Sequence, residues 1–258
     1  MITALPHRPR RVLLNVHMAR PNLTSRVAKA LWDRRNPQWA EGHPDRVDPR
    51  LELTPGAVPR YVADRVAVKV RDKVKGRQPW ITRDALDLLD GLLHSTDHGV
   101  EYGAGGTTAW FAERVEFMDS VEGFAQWYEP LRKDLSARGV TNVDLHLVSA
   151  EELGYETDAH RDAYVGIHPE LGPESVDFVF VDGEYRDACA MRGVELLRPG
   201  GLLILDNADI YIPSQSRSPH RLDEPSTPLW AEVLDRVASW RQIWTTNGVW
   251  DTVIWVKP

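Results

Sequence analysis

From Trp80 onward the chain alternates short apolar runs with helical stretches, and nothing else in its 258 residues limits the fold so strongly. The apolar run 99–102 precedes a helical pattern over 107–114, 117–121 precedes 124–138, and 143–148 precedes a loop region. The run 176–181 precedes 185–197, and 202–205 leads through a long loop to 229–239. Strands that alternate with helices imply a mostly parallel α/β sheet covered on both faces. Thr82 is expected to cap a helix over 83–93, where Ala85, Leu86, Leu88, Leu89, Leu92 and Leu93 form an apolar stripe. The end of the chain departs from this rule. Runs 242–246 and 249–256 flank Asn247-Gly248, which reads as an antiparallel hairpin with a tight turn.

Residues 1–79 have a different character. Pro6, Pro9, Pro21, Pro37, Pro44, Pro49, Pro55 and Pro59 break them into short pieces. One helix is expected from Thr24 or Ser25 to Trp32, and the segment 61–74 suits helix or strand equally. Charge divides the chain at the same place. Residues 1–80 hold 17 Lys/Arg and 7 Asp/Glu, a balance of +10, whereas 81–258 hold 14 and 31, a balance of −17, and together they give −7. The length therefore divides into a basic N-terminal extension or cap, 1–79, and a larger domain, 80–258. With no apolar run near the roughly 20 residues of a membrane span, a cytoplasmic protein with no membrane partner is expected. The single cysteine, Cys189, excludes an internal disulfide and a cysteine-based zinc site.

The segment most informative about function is Gly99-Val100-Glu101-Tyr102-Gly103-Ala104-Gly105-Gly106-Thr107-Thr108, at a strand-to-helix turn. Gly103 and Gly105 let backbone approach a ligand closely, and Thr107 opens the helix beside it. Two features speak against a nicotinamide dinucleotide. The full Gly-x-Gly-x-x-Gly pattern is not completed, and the carboxylate of Glu101 would repel a second phosphate. About 19 residues beyond Gly103, the second strand ends in Glu122-Gly123, where an acid can accept both hydroxyls of a ribose. A nucleoside with a cationic amino end satisfies both acids, and S-adenosylmethionine is such a molecule.

At this point residues 80–258 resemble the class I S-adenosylmethionine-dependent methyltransferases, whose Rossmann-like sheet ends in a reversed strand. Val100 to Thr108 are similar to the family's first motif and Val121-Glu122 to its ribose-binding acid. The resemblance implies that Ala150 and Glu151 border the adenine; Trp80, just before the helix that leads into the glycine motif, and Trp127, five residues after Glu122, are expected beside the cofactor by position. Phe178-Val179-Phe180-Val181-Asp182-Gly183 looks like the fourth-strand motif, and 197–207, with Pro199-Gly200-Gly201, like the turn into the fifth strand. Small-molecule O-methyltransferases of the catechol, caffeoyl-CoA and antibiotic-sugar types carry three oxygen ligands for Mg²⁺ at positions matched here by Asp182, Asp206 and Asn207. Hard oxygen donors at converging strand ends suit that ion. One departure concerns the base. The catechol type has a lysine three residues after the first Asp, and Tyr185 stands there in this chain.

The loop 208–228 follows the fifth strand and is long enough to form a lid, and its His220 is a candidate general base beside the catalytic candidates Asp182 and Asp206. Trp110, Trp240, Trp244 and Trp255 are expected in the core. The basic extension has few aromatics between its charges to stack on bases, and the acidic domain repels polyanions, so no nucleic-acid partner is expected. The extension packs instead against the acidic domain or against its twin in a homodimer. These residues point to methyl transfer to a hydroxyl of a small-molecule acceptor, a sugar or secondary metabolite. The alternatives are an NAD(P)-dependent oxidoreductase and a non-catalytic nucleoside-binding module on the same fold.

Overall fold

A computed structural model describes residues 54–75, 79–154 and 157–258. The helix expected at 25–32 lies outside the described residues. Helix α1, Val58–Lys75, resolves the ambiguous segment in favour of helix and places Val62, Val66 and Val70 on one exposed face. After it come α2, Arg83–Leu92; β1, His98–Tyr102; α3, Gly106–Ala112; β2, Phe117–Glu122; α4, Ala125–Ala137; and β3, Val143–Leu147. The second half holds α5, Ala150–Leu153; α6, Asp158–Val165; β4, Val176–Val181; α7, Arg186–Leu196; β5, Leu197–Asp206; α8, Pro228–Arg236; β6, Arg241–Thr246; and β7, Asp251–Val256.

The seven strands form one sheet in the order β3-β2-β1-β4-β5-β7-β6, parallel from β3 to β5, with β7 antiparallel to both neighbours. Period-two alternation sorts the core. Along β4, Phe178 and Phe180 face one side with Met118, Ile204 and Ile254, where Ala85, Leu86 and Leu89 of α2 and Phe111 of α3 cover them. Val179 and Val181 face the other side with Val100, Tyr102 and Leu203, under Tyr164 of α6, Cys189 and Val194 of α7, and Trp230 and Val233 of α8. Gly99 is small because the Phe178 ring lies where its Cβ would stand.

Four local expectations are corrected. The stretch after β3 is not a loop but contains α5 and α6, and the Thr157 hydroxyl caps α6 by accepting from the His160 N–H. Thr82 precedes α2 without capping it, because its hydroxyl bonds Thr245 on β6 at 2.5 Å instead. The hairpin loop spans four residues, 247–250, closed by a bond from the Asn247 N–H to the Trp250 carbonyl, with Gly248 at φ +82°. Of the four tryptophans expected in the core, Trp255 is fully buried while Trp110, Trp240 and Trp244 are half-buried, and Trp230 is the one that joins Trp255 inside.

Helix α1 lies over the carboxyl side of the sheet. Its Asp64 pairs with Arg217 of the loop 208–228 at 3.8 Å and touches the hairpin at Gly248. Among the described residues no helix is long and apolar enough to cross a membrane.

Candidate functional site

Register brings the chemistry to one edge. Glu101 pairs across with Ser120, Tyr102 with Val121 and Val181, and Val181 with Leu205, so Glu101, Glu122, Asp182 and Asp206 all end up at the carboxyl ends of adjacent strands. The turn between β1 and α3 is hooked to β2, since the N–H groups of Gly103 and Ala104 both donate to the Val121 carbonyl at 2.9 Å. Gly103 has φ +98°, and a Cβ there would lie 2.4 Å from the Gly183 nitrogen, so the turns after β1 and β4 meet backbone to backbone. A Cβ at Gly105 would meet nothing within 4 Å. That position opens on free space.

Glu101 lies beneath this turn with no exposed surface. Its Oε1 accepts from the Thr107 hydroxyl at 2.5 Å, and its Oε2 from the hydroxyls of Thr108 at 2.6 Å and Ser120 at 2.9 Å. Burial raises its pKa to about 7 even though all three hydroxyls oppose the shift. Both oxygens thus help to hold the turn. Glu122 Oε1 accepts from the Phe124 N–H at 2.9 Å. Burial raises its pKa to about 8, with the nearby charge of Glu184 adding to the shift. Glu184 is itself buried and reaches Gly123, at a spot where a Cβ on that glycine would stand 1.8 Å from its Oε2. Among the described residues, no Lys or Arg pairs with Glu101 or Glu122.

The rim is uneven. Trp80 is 76% exposed and Trp127, in the first turn of α4, is 44% exposed. Ala150 opens α5, and Glu151 is exposed, with its N–H on the Ser149 hydroxyl at 3.1 Å. Tyr185, at the position of the missing lysine, adopts φ +48° and bonds His160 Nδ1 through its hydroxyl at 2.7 Å. His160 Nε2 lies 3.0 Å from the Val148 carbonyl, which can only accept, so Nε2 carries the hydrogen.

At the ends of β4 and β5 a residue that the sequence reading passed over dominates. Arg186, the first residue of α7 and 11% exposed, sends Nε to the Gly183 carbonyl at 2.9 Å. Its Nη1 donates to the Asp206 carbonyl at 2.7 Å and Asn207 Oδ1 at 3.3 Å, and its Nη2 to the Asp182 carbonyl at 2.6 Å and Asp182 Oδ1 at 2.9 Å. Asp206 is buried and accepts from the Thr252 hydroxyl on β7 at 2.6 Å. Burial and then the charge of Asp182 push the Asp206 carboxyl well above the usual range. Burial also raises Asp182, against the pull of Arg186, although 28% of that side chain stays open to solvent.

The donors expected for Mg²⁺ do not fit a divalent ion. The Asp182 carboxylate and the Asn207 amide oxygen serve the same guanidinium. Among the described residues, no group of three or more His, Cys, Asp and Glu side chains is arranged to hold a metal.

His220 is not a solvated loop residue. It is buried and stacks on Trp250 of the hairpin, ring centroids 4.8 Å apart and planes 11° off parallel. Beside it, Ser218 donates to buried Asp209 at 2.5 Å, and Asp209 also accepts the Asp251 N–H at 3.1 Å, which ties the loop 208–228 to β7. Burial, then the charge of Asp251, raises Asp209 to about 7.

No family model and no curated protein matches the chain. Solved structures do. A methyltransferase from Geobacter sulfurreducens is 18% identical, covers 80% of this chain and 93% of its own, and has a TM-score of 0.46. A SAM-dependent O-methyltransferase from Thermotoga maritima is 13% identical, with 74% and 70% covered and a TM-score of 0.43. An rRNA methylase from Streptococcus thermophilus is 18% identical, with 69% and 99% covered and a TM-score of 0.44. The strand order and the reversed β7 are those of a Rossmann-like class I methyltransferase sheet.

Proposed function

We propose that the protein is an S-adenosylmethionine-dependent methyltransferase that methylates a hydroxyl of a small molecule, such as a sugar or secondary metabolite. One observation carries this reading. Two buried carboxylates, Glu101 and Glu122, flank a glycine turn with no Lys or Arg paired to either among the described residues. Buried negative charge is costly until a cation meets it, and a nucleoside with a cationic amino acid end brings one. The residues present fit that group. Glu122 ends the strand beside the glycine turn, Gly105 opens on free space, and the exposed Trp127 and Glu151 are available to border an adenine.

When bound, S-adenosylmethionine supplies an electrophilic methyl group on a sulfonium. The protein's part is then to align an acceptor hydroxyl and take its proton. Asp206 is our base. The Thr252 hydroxyl, at 2.6 Å, fixes its Oδ1 at the end of β5. Asp182, held by Arg186, lines the same strand ends, while His220 and the loop 208–228, with α1 above them, form the cap that excludes water.

Isothermal titration with S-adenosylhomocysteine and, separately, with NAD⁺ tests the reading. Stoichiometric binding of S-adenosylhomocysteine with no heat from NAD⁺ is expected. Binding of NAD⁺ alone would overturn it in favour of an oxidoreductase.

A further inference from the structure

We propose that Arg186 takes the place of the divalent cation in this site, so that the protein positions its acceptor without a metal. The inference rests on the methyltransferase reading above and concerns the β4 and β5 strand ends alone. A guanidinium has five N–H groups in a rigid plane, and each finds an acceptor here: one from Nε at the Gly183 carbonyl, two from Nη1 at Asp206 and Asn207, and two from Nη2 at the carbonyl and carboxylate of Asp182. Three of the five acceptors are backbone carbonyls of the turns that follow β4 and β5. Those carbonyls fix the spacing of the two strand ends, which a metal would otherwise fix through side-chain oxygens.

The position of the charge excludes a second cation on the same oxygens. Arginine stays protonated at any working pH, and a divalent ion at Asp182 Oδ1 would sit next to a positive charge already 2.9 Å from that oxygen. Nor can the guanidinium swing aside cheaply. It lies over the Tyr211 ring, 5.1 Å from its centroid, and leaving would strip partners from the carbonyls of Asp182, Gly183 and Asp206. Arg186 is thus a positioning residue. It holds Asp182 and Asn207 in place and leaves proton transfer to Asp206.

The test is a titration of chelator-treated full-length protein with Mn²⁺, with and without S-adenosylhomocysteine, read from the EPR signal of the free ion. Wild type is expected to leave Mn²⁺ free. Arg186→Ala should gain one site, with affinity raised about tenfold or more, because the vacated oxygens regain the donor set of a hard cation. Adding Asp206→Ala to that variant should abolish the gain, an effect a merely structural arginine would not produce. Stoichiometric Mn²⁺ binding by wild type that Asp182→Ala removes would overturn the proposal, and so would an Arg186→Ala protein that gains nothing. If Arg186→Ala does not fold, Arg186→Met, which keeps the apolar stem, serves in its place, and the wild-type titration decides the first point alone. Calorimetry with S-adenosylhomocysteine on the same samples separates the two claims. Absent binding sinks the methyltransferase reading, whereas binding accompanied by wild-type Mn²⁺ uptake sinks only the role of Arg186.

Discussion

The carboxyl edge of the sheet carries two pairs of acids in unlike settings. At the ends of β1 and β2, Glu101 and Glu122 are satisfied by hydroxyls and a backbone N–H, with no Lys or Arg partner among the described residues. At the ends of β4 and β5, Asp182 shares a built-in guanidinium with Asn207 and with the Asp206 backbone. The contrast separates two ways of handling negative charge at a strand end. The first half leaves charge for a ligand to neutralise, and the second neutralises its own.

The largest effect that would break this comparison lies in the second half. Asp206→Ala should lower methyl transfer by about 10²–10⁴-fold, the usual worth of a general base, while calorimetry shows unchanged affinity for S-adenosylhomocysteine. Full activity would remove Asp206 from the mechanism. Next is Glu101→Ala, which strands three buried hydroxyls and should cost about 3 kcal/mol of stability in urea unfolding. A loss no larger than that of a surface substitution would show that Glu101 does not hold the turn. Glu122→Ala should weaken S-adenosylhomocysteine binding by about 1–3 kcal/mol, and unchanged affinity would contradict its assignment to the ribose.

The smallest effect is on pH. Burial raises Glu101 to about 7 and Glu122 to about 8, both above the usual 4.5. Between those limits the folded protein keeps protons that the unfolded chain has lost, so stability is greatest below the usual value and falls as pH rises through 7 and 8. The melting temperature of the ligand-free protein should accordingly decline over that window, and Glu122→Gln should flatten part of the decline. A profile that rises instead would mean that a buried cation already pairs with these acids.

The sequence made the first half more legible than the second, for reasons of range. Glu101, Gly103, Thr107 and Thr108 sit within eight residues, and Glu122 follows one strand later, so spacing alone brings them to one turn. The third hydroxyl on Glu101, from Ser120, depends on the β1–β2 register, and no local pattern reports it. Arg186 is only four residues beyond Asp182, yet its meaning comes from Asp206 and Asn207 twenty residues away on a neighbouring strand. The cation stands one residue beyond Tyr185, the position of the catechol-type lysine. Helix α6 has no continuous apolar stripe in its sequence, Asp158-Ala159-His160-Arg161-Asp162-Ala163-Tyr164-Val165. Only His160 and Tyr164 of α6 are buried, and the Thr157 cap was the signal available. The burial of His220 has no local signal either, because its stacking partner, Trp250, lies thirty residues away in sequence.

A crystal grown with S-adenosylhomocysteine and excess Mg²⁺ tests the contrast between the two halves most directly. Nucleoside density is expected between the glycine turn and Glu122, with the Arg186 guanidinium still on Asp182 and Asn207 and no ion among those oxygens. A magnesium ion bound there with Arg186 displaced, or no nucleoside at Glu122, would contradict it.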